Sequence, residues 1–251
     1  MHEFTKGLIS GICSSIICSP FDLIKTRYQV SGTKKSYINT LKHTFKNEGA
    51  KNALLNGFVG NLISVPVWWA MYWPIYEEIK KYPLPSGVPN GIQPMMAGNI
   101  ASFILNPLFV LRVRIHNNVD TNYIRLFQEL KKDNFKVFTK GYFSTIIHNS
   151  QLFLNIPLYE YLKGEYTHDN DPWKSPKVAL YSGLSKAIGG TLIYPIEVVR
   201  TRIRESRTPM SVKSVICNPS FRPFAGYIPY LIRTIPSTAA AFTIYEALRE
   251  F

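Results

Sequence analysis

Acidic residues are scarce in this chain: 16 aspartates and glutamates stand against 29 lysines and arginines, a formal net charge of +13. Cysteine is scarcer still, limited to Cys13, Cys18 and Cys217. These three fit no metal-ligand spacing and cannot all pair, so a disulfide framework and a cysteine-held metal are excluded and small apolar filling is expected. The chain has no glycine-rich phosphate loop, no metal cluster and no paired catalytic constellation, which leaves no enzymatic reading and no cofactor. Nowhere do twenty apolar residues run uninterrupted, and the mean hydropathy of -0.03 resembles that of a soluble protein. No cleavable amino-terminal signal is expected, because Met1 to Lys6 run directly into an apolar stretch.

What is present is a set of interrupted apolar stretches, at 5–28, 57–76, 93–113, 141–162, 178–200 and 226–248. Gly, Ser, Asn or Pro breaks each one, as suits helices with lipid on one side and a watery cavity on the other. The positive charge is distributed unevenly. It follows every second apolar stretch, in Lys34 to Lys51, Arg125 to Lys140 and Arg204 to Arg222. Such charge lies on one side of a six-helix membrane protein, whereas a nucleic-acid-binding domain has no reason to place it so.

A charged hexapeptide opened by proline recurs within these stretches: Pro20 to Lys25, Pro107 to Arg112 and Pro195 to Arg200, at steps of 87 and 88 residues. A second signature interleaves with it, aromatic, acid, two spacers and base: Tyr76 to Lys80, Tyr159 to Lys163 and Tyr245 to Arg249, at steps of 83 and 86. Two signatures in register define a repeat, with units near 1–83, 84–168 and 169–251 in one domain spanning 1–251. The predicted fold class is therefore an all-α membrane protein of six transmembrane helices in three pseudo-symmetric repeats. Amphipathic segments at Tyr37 to Lys46 and Tyr123 to Lys132 predict short surface helices in the first two linkers. The third linker, Glu205 to Arg222, is too irregular to predict one.

These residues resemble the mitochondrial carrier family, whose odd helices end in Pro-x-Asp/Glu-x-x-Lys/Arg and whose even helices end in Phe/Tyr-Asp/Glu-x-x-Lys/Arg. Arg27 and Gln29 extend the first motif, and Gly57, Gly141 and Gly226 match the glycines that open the even helices. The resemblance implies a multi-pass monomer of the inner mitochondrial membrane with its short helices in the matrix, in contact with lipid such as cardiolipin. Two ion-pair gates are implied as well, consistent with the rule that charges within apolar helices must pair or face water. On the matrix side the gate comprises Asp22, Lys25, Gln29, Arg112, Glu197 and Arg200. Its expected pairs are Asp22 with Arg200 and Arg112 with Glu197, while Lys25 faces Phe109 where the family has an acid. On the cytoplasmic side Glu77 is expected to pair with Lys163, Glu160 with Arg249 and Glu246 with Lys80. Gln29, Tyr76, Tyr159 and Tyr245 are the expected braces.

For the solute, the resemblance points to mid-membrane positions: Ser64 to Trp69, Ile147 to Gln151 and Arg233-Thr234. Arg233 matches a frequent sixth-helix arginine. Lys186 precedes Glu197 by 11 residues, and 11 steps of about 100° bring the two within about 20° on one helix face. Two cavity cations favour an anion. The run from Trp68 to Tyr76 resembles the second helix of carriers for FAD, folate, NAD and pyrimidine nucleotides, where Trp68 and Trp69 can stack on a base. His148, Gln151 and Thr234 complete the expected contacts. The reading is transport of an anionic, nucleotide-like metabolite; an amino-acid or carboxylate carrier and a degenerate receptor or scaffold are the alternatives.

Overall fold

The computed structural model describes residues 18–31, 36–82, 91–117, 123–132, 136–166 and 174–234, which are helical with short turns and contain no strand. Helix α1 covers 18–31, α2 Tyr37–Glu48 and α3 Ala50–Lys80. A bent pair follows, α4 Ile92–Ile104 and α5 Asn106–Asn117. Then come α6 Tyr123–Lys132, α7 Lys136–Thr139, α8 Tyr142–Asn149 and α9 Leu152–Tyr166. The long α10 spans Lys174–Glu205; α11 is Val212–Ile216, and α12 covers 227–234.

Among the described residues one helix, Lys51–Lys80, is long and apolar enough to cross a membrane, and α4 with α5 passes the same test if the bent pair is taken as one span. Exposed side chains supply a second sign of a lipid-facing surface. Leu180, Leu184, Ile188 and Leu192 recur every four residues along α10 and are 43–67% exposed. An uncovered apolar stripe of this kind needs a non-aqueous neighbour.

Two linker helices stand where their amphipathic patterns put them. In α6, Leu126 and Leu130 lie one turn apart and pack with Val110, Leu111 and Ile115 of α5 and Val137 of α7. The third linker departs from expectation, since it does form a helix, α11. Ser211 and Ser214 build a reciprocal capping box at its start, and Val215 packs on Val199 and Ile203 of α10. One cap and one apolar anchor suffice for a single turn that periodicity cannot reveal.

The glycine assignment also needs one correction. Gly141 and Gly226, with φ of 70° and 77°, do precede even-numbered elements, α8 and α12. In the first repeat the positive φ belongs instead to Gly49, φ 78°, which with ψ 141° is extended rather than left-handed helical. Its N–H donates to the Phe45 carbonyl to close α2, while its carbonyl accepts from Ala53 to open α3. Gly57 lies inside α3, and a Cβ there would come within 2.9 Å of the Ser19 carbonyl. It allows α1 to cross α3 closely.

Proline acts differently in the three hexapeptides. The helix bends by 69° between α4 and α5 at the Pro107 motif, whereas α10 runs unbroken through Pro195. Pro20 lies near the edge of the described residues. At the bend the fully buried Asn106 clasps the next linker: Nδ2 donates to the carbonyls of Val137, Phe138 and Lys140 at 2.7, 3.0 and 2.9 Å. The expected single helix over 141–162 is likewise divided, by a turn at Ser150-Gln151. Ser150 Oγ donates back to the Ile147 carbonyl there, offering the backbone a local alternative to helix. Cys18 is buried as expected, but Cys217 is exposed, and Cys13 lies outside the described residues.

Candidate functional site

Helices α1, α5, α10 and α12 bring charged residues, and α3 brings Asn61, to one buried locus. Asp22 of α1, 3% exposed, is its hub. One carboxylate oxygen accepts from Arg112 at 3.1 Å and from Asn61 at 2.8 Å, and the other from Arg233 at 3.0 Å. Glu197 forms an ion pair with Lys25 and lies 3.6 Å from Arg200 one turn along its own helix. Lys25 Nζ also sits 5.0 Å above the centre of the Tyr230 ring.

The network closes in the opposite sense to the expected one. Asp22 meets Arg112 rather than Arg200, and Glu197 meets Lys25 rather than Arg112. Lys25 is therefore satisfied, and of the three hexapeptide bases Arg200 is the one with no acid from a neighbouring helix among the described residues. The physical reason is handedness. Acid and base three residues apart diverge by about 60° around a helix, so each looks toward a different neighbour. Which neighbour is which depends on the direction in which the odd helices circle the bundle, and the motif alone does not carry that direction. Phe109 takes the guanidinium of Arg204 over its ring at 5.0 Å.

This arrangement predicts the outcome of double-mutant cycles. Lys25→Ala with Glu197→Ala should show a coupling of about 0.5 to 3 kcal/mol, the range for contacting partners in one network, and Asp22→Ala with Arg200→Ala under about 0.5 kcal/mol. The check is the unfolding midpoint in detergent, and the reverse order of couplings would reinstate the other connectivity.

Around the network lies a cavity of about 240 Å³. Six cations line it, Lys25, Arg112, Lys186, Arg200, Arg204 and Arg233, against two carboxylates, Asp22 and Glu197. Of the residues expected to contact solute, Arg233, Lys186, His148 and Gln151 reach this cavity. Trp68, Trp69 and Thr234 are not in its lining. Trp68 turns to α4, donating its indole N–H to Ser102 Oγ at 3.2 Å and stacking on Tyr72 at 5.0 Å. Trp69 stacks on Trp73 at 6.1 Å, and Thr234 donates to the Tyr230 carbonyl at 2.8 Å.

The braces differ in kind. Gln29 donates to Tyr194 Oη at 3.1 Å, and Tyr76 stacks on Tyr72 at 5.8 Å. Tyr159 is partly buried on α9. On the other side of the bundle Glu77 and Lys80 are exposed at the end of α3. The side chains of Glu160 and Lys163, and all of Tyr245, Glu246 and Arg249, lie outside the described residues.

Sequence reading missed several participants. Asn61, fully buried, steadies Asp22. Arg204 follows Arg200 by one turn, an i,i+4 relation that could have placed both on one face. His116, 1% exposed, ties three helices together. Its Nδ1 is 3.2 Å from Thr26 Oγ1 and its Nε2 is 3.2 Å from the Gly57 carbonyl. A carbonyl only accepts, so Nε2 carries the proton and Thr26 donates to Nδ1. Gly60 leaves room for the ring, since a Cβ there would lie 2.5 Å from it.

A helical bundle with an uncovered apolar stripe, a buried ion-pair network and a cation-rich cavity suits a membrane transporter. The family profile described as "Mitochondrial carrier protein" matches residues 1–86 and 172–251. The chain belongs to the mitochondrial carrier family, whose members are transporters. Similar proteins include nicotinamide adenine dinucleotide transporter 1, chloroplastic, of Arabidopsis thaliana, 26% identical over 284 residues covering 98% of this chain and 90% of the relative. The mitochondrial nicotinamide adenine dinucleotide transporter 1 of Saccharomyces cerevisiae is 25% identical over 97% of this chain and 75% of its own. The mitochondrial FAD carrier of the same yeast is 25% identical over 98% of this chain and 96% of its own.

Proposed function

We propose that this chain carries a phosphate-bearing, nucleotide-like metabolite across the inner mitochondrial membrane by alternating access. The observation that carries the reading is the charge of the cavity: six cations face two carboxylates, a balance that suits an anionic solute. The names of the NAD and FAD carriers supply the nucleotide class. In this reading the three repeats make six spans of one domain, and the Asp22 and Glu197 pairs are the matrix gate. The motifs of Tyr76, Tyr159 and Tyr245 make the cytoplasmic gate. Anionic lipid, cardiolipin among it, suits the lysine-rich matrix surface.

The cavity volume of about 240 Å³ falls below the roughly 300–1,000 Å³ of sites that enclose a whole ligand. It accommodates the charged end of the solute, held by Arg233, Lys186, His148 and Gln151, and leaves the base to lie beyond it. Trp69 is the stacking partner assigned here, because Trp68 is anchored to Ser102 of α4 and stacked on Tyr72 at 5.0 Å. A second reading, a carboxylate or amino-acid carrier, is favoured by the absence of both tryptophans from the cavity lining.

Thermal unfolding of the purified protein with nucleotides, dinucleotides, amino acids and carboxylates separates the two, since a bound solute raises the midpoint by mass action. Nucleotides should stabilise, and Trp69→Ala should weaken their binding by about 1 to 3 kcal/mol, the scale of base stacking. Arg233→Ala should remove uptake into proteoliposomes while the protein stays folded. Stabilisation by glutamate or malate and by no nucleotide would overturn the first reading.

A further inference from the structure

Compensation of the six cavity cations is uneven. Asp22 serves Arg112 and Arg233, and Glu197 serves Lys25 at close range. Arg200 shares Glu197 at 3.6 Å. Lys186 and Arg204 have no carboxylate partner among the described residues, and of the two Lys186 is exposed whereas Arg204 is only 5% exposed; the buried deficit is that of Arg204. Arg204 donates to two neutral acceptors, Asn106 Oδ1 at 2.8 Å and Thr145 Oγ1 at 3.1 Å, and its buried Nε has no partner. A guanidinium buried without a counter-charge is costly. The deficit coincides with the one place where the repeat is broken, for the first and third hexapeptides carry Asp22 and Glu197 where the second carries Phe109. His148 lines the same cavity, and its buried Nδ1 is also without a partner.

We propose that the Phe109 side of this cavity is a phosphate-type oxyanion site, held by Arg200, Arg204 and His148, and that the bound anion replaces the carboxylate missing from the second repeat. Two guanidinium groups one turn apart suit the several oxygens of a phosphate, which each can grip with two parallel N–H donors. The phenyl ring at position 109 supports Arg204 from below and supplies no competing acceptor. Closure of the third ion pair is thereby conditional on an anion, whereas the other two close with residues of the chain itself. The inference stands on these cavity charges and is independent of which solute is carried.

The experiment is thermal unfolding of the full-length protein in detergent at constant ionic strength, with inorganic phosphate, adenosine 5′-monophosphate or adenosine as probe. A rise that grows with the logarithm of concentration is expected, reaching about 5 to 10 °C with an oxyanion at roughly 100 times its dissociation constant. A response to both phosphate and the nucleotide identifies a free oxyanion as sufficient; a response to the nucleotide alone supports the site if Arg204→Gln removes it and overturns the site if Arg204→Gln keeps it, since binding at Arg233 then accounts for it. Equal responses to adenosine and its monophosphate, or none to any probe, would overturn the proposal. Phe109→Glu supplies a built-in carboxylate and should abolish the phosphate response without lowering the midpoint in phosphate-free buffer. Phe109→Leu should keep the response, and Arg204→Gln should lose it, which preserves the test if the glutamate variant does not fold. Retention of the full response in a folded Phe109→Glu would also overturn the site. Failure of nucleotides to bind at Arg233 would instead count against the solute reading and leave the phosphate response intact.

Discussion

Replacing Asp22 with alanine is expected to abolish transport and to lower the unfolding midpoint by roughly 10 °C. One carboxylate, 3% exposed, accepts from Arg112, Asn61 and Arg233 on three other helices. Its removal strands two guanidinium groups in a cavity already rich in cations. Breaking a buried pair by deleting one partner costs about 3 to 5 kcal/mol. For a chain of this size each kcal/mol shifts the midpoint by about 2 to 4 °C. Asp22→Asn retains the shape and one acceptor oxygen but loses the charge, so it should fall between alanine and wild type in stability. Lys25→Gln should be milder, because Arg200 remains near Glu197. Unfolding curves read beside proteoliposome uptake provide the check. A folded Asp22→Ala protein with a midpoint within about 2 °C of wild type would show that the hub is not the main tie among these helices.

The recurrence of the hexapeptide put Asp22, Lys25, Arg112, Glu197 and Arg200 in one class of position, and all five meet around one cavity. That much was legible because a charged residue within an apolar helix has few places to go. The pairing was not legible. Repeat spacing is blind to the hand in which helices circle a bundle, and that hand decides whether Asp22 looks toward Arg112 or Arg200.

Polar side chains that serve a single neighbour leave no periodic trace either. Asn106 is one asparagine before a proline in the sequence, yet it holds three carbonyls of the α7 region and a guanidinium. The tryptophans of α3 show the converse limit. Their composition suggests base stacking, but Trp68 spends its indole N–H on Ser102 of α4. A helix pattern identifies which residues share a face and does not say whether a helix or a solute lies opposite.

The three glycines of positive φ among the described residues should respond unequally to alanine, and Gly226→Ala should be the most damaging. A positive φ costs an L residue about 1 to 3 kcal/mol, less where the backbone is left-handed helical, as at Gly141 with φ 70° and ψ 9°, and more toward the glycine-only region, as at Gly49 with φ 78° and ψ 141°. At Gly49, with φ 78°, a Cβ would meet nothing within 4 Å, so that cost is the whole effect. At Gly141 the nearest atoms are 3.3 and 3.4 Å away, a tight but partly yielding fit. At Gly226 the Cβ would lie 2.8 Å from the backbone carbonyl of Lys25, with Tyr194 Oη at 3.2 Å. Backbone cannot swing aside as a side-chain tip can, so overpacking adds about 1 to 3 kcal/mol. The displacement also reaches the site. Arg233 follows Gly226 by seven residues, two turns up the same face within about 20°, so pushing α12 off α1 draws Arg233 away from Asp22. The midpoint of Gly226→Ala should be the lowest of the three, with uptake kept in Gly49→Ala and lost in Gly226→Ala. Equal midpoints would mean that backbone conformation alone selects glycine at all three positions, and normal uptake in Gly226→Ala would uncouple the α1–α12 approach from the Asp22–Arg233 contact.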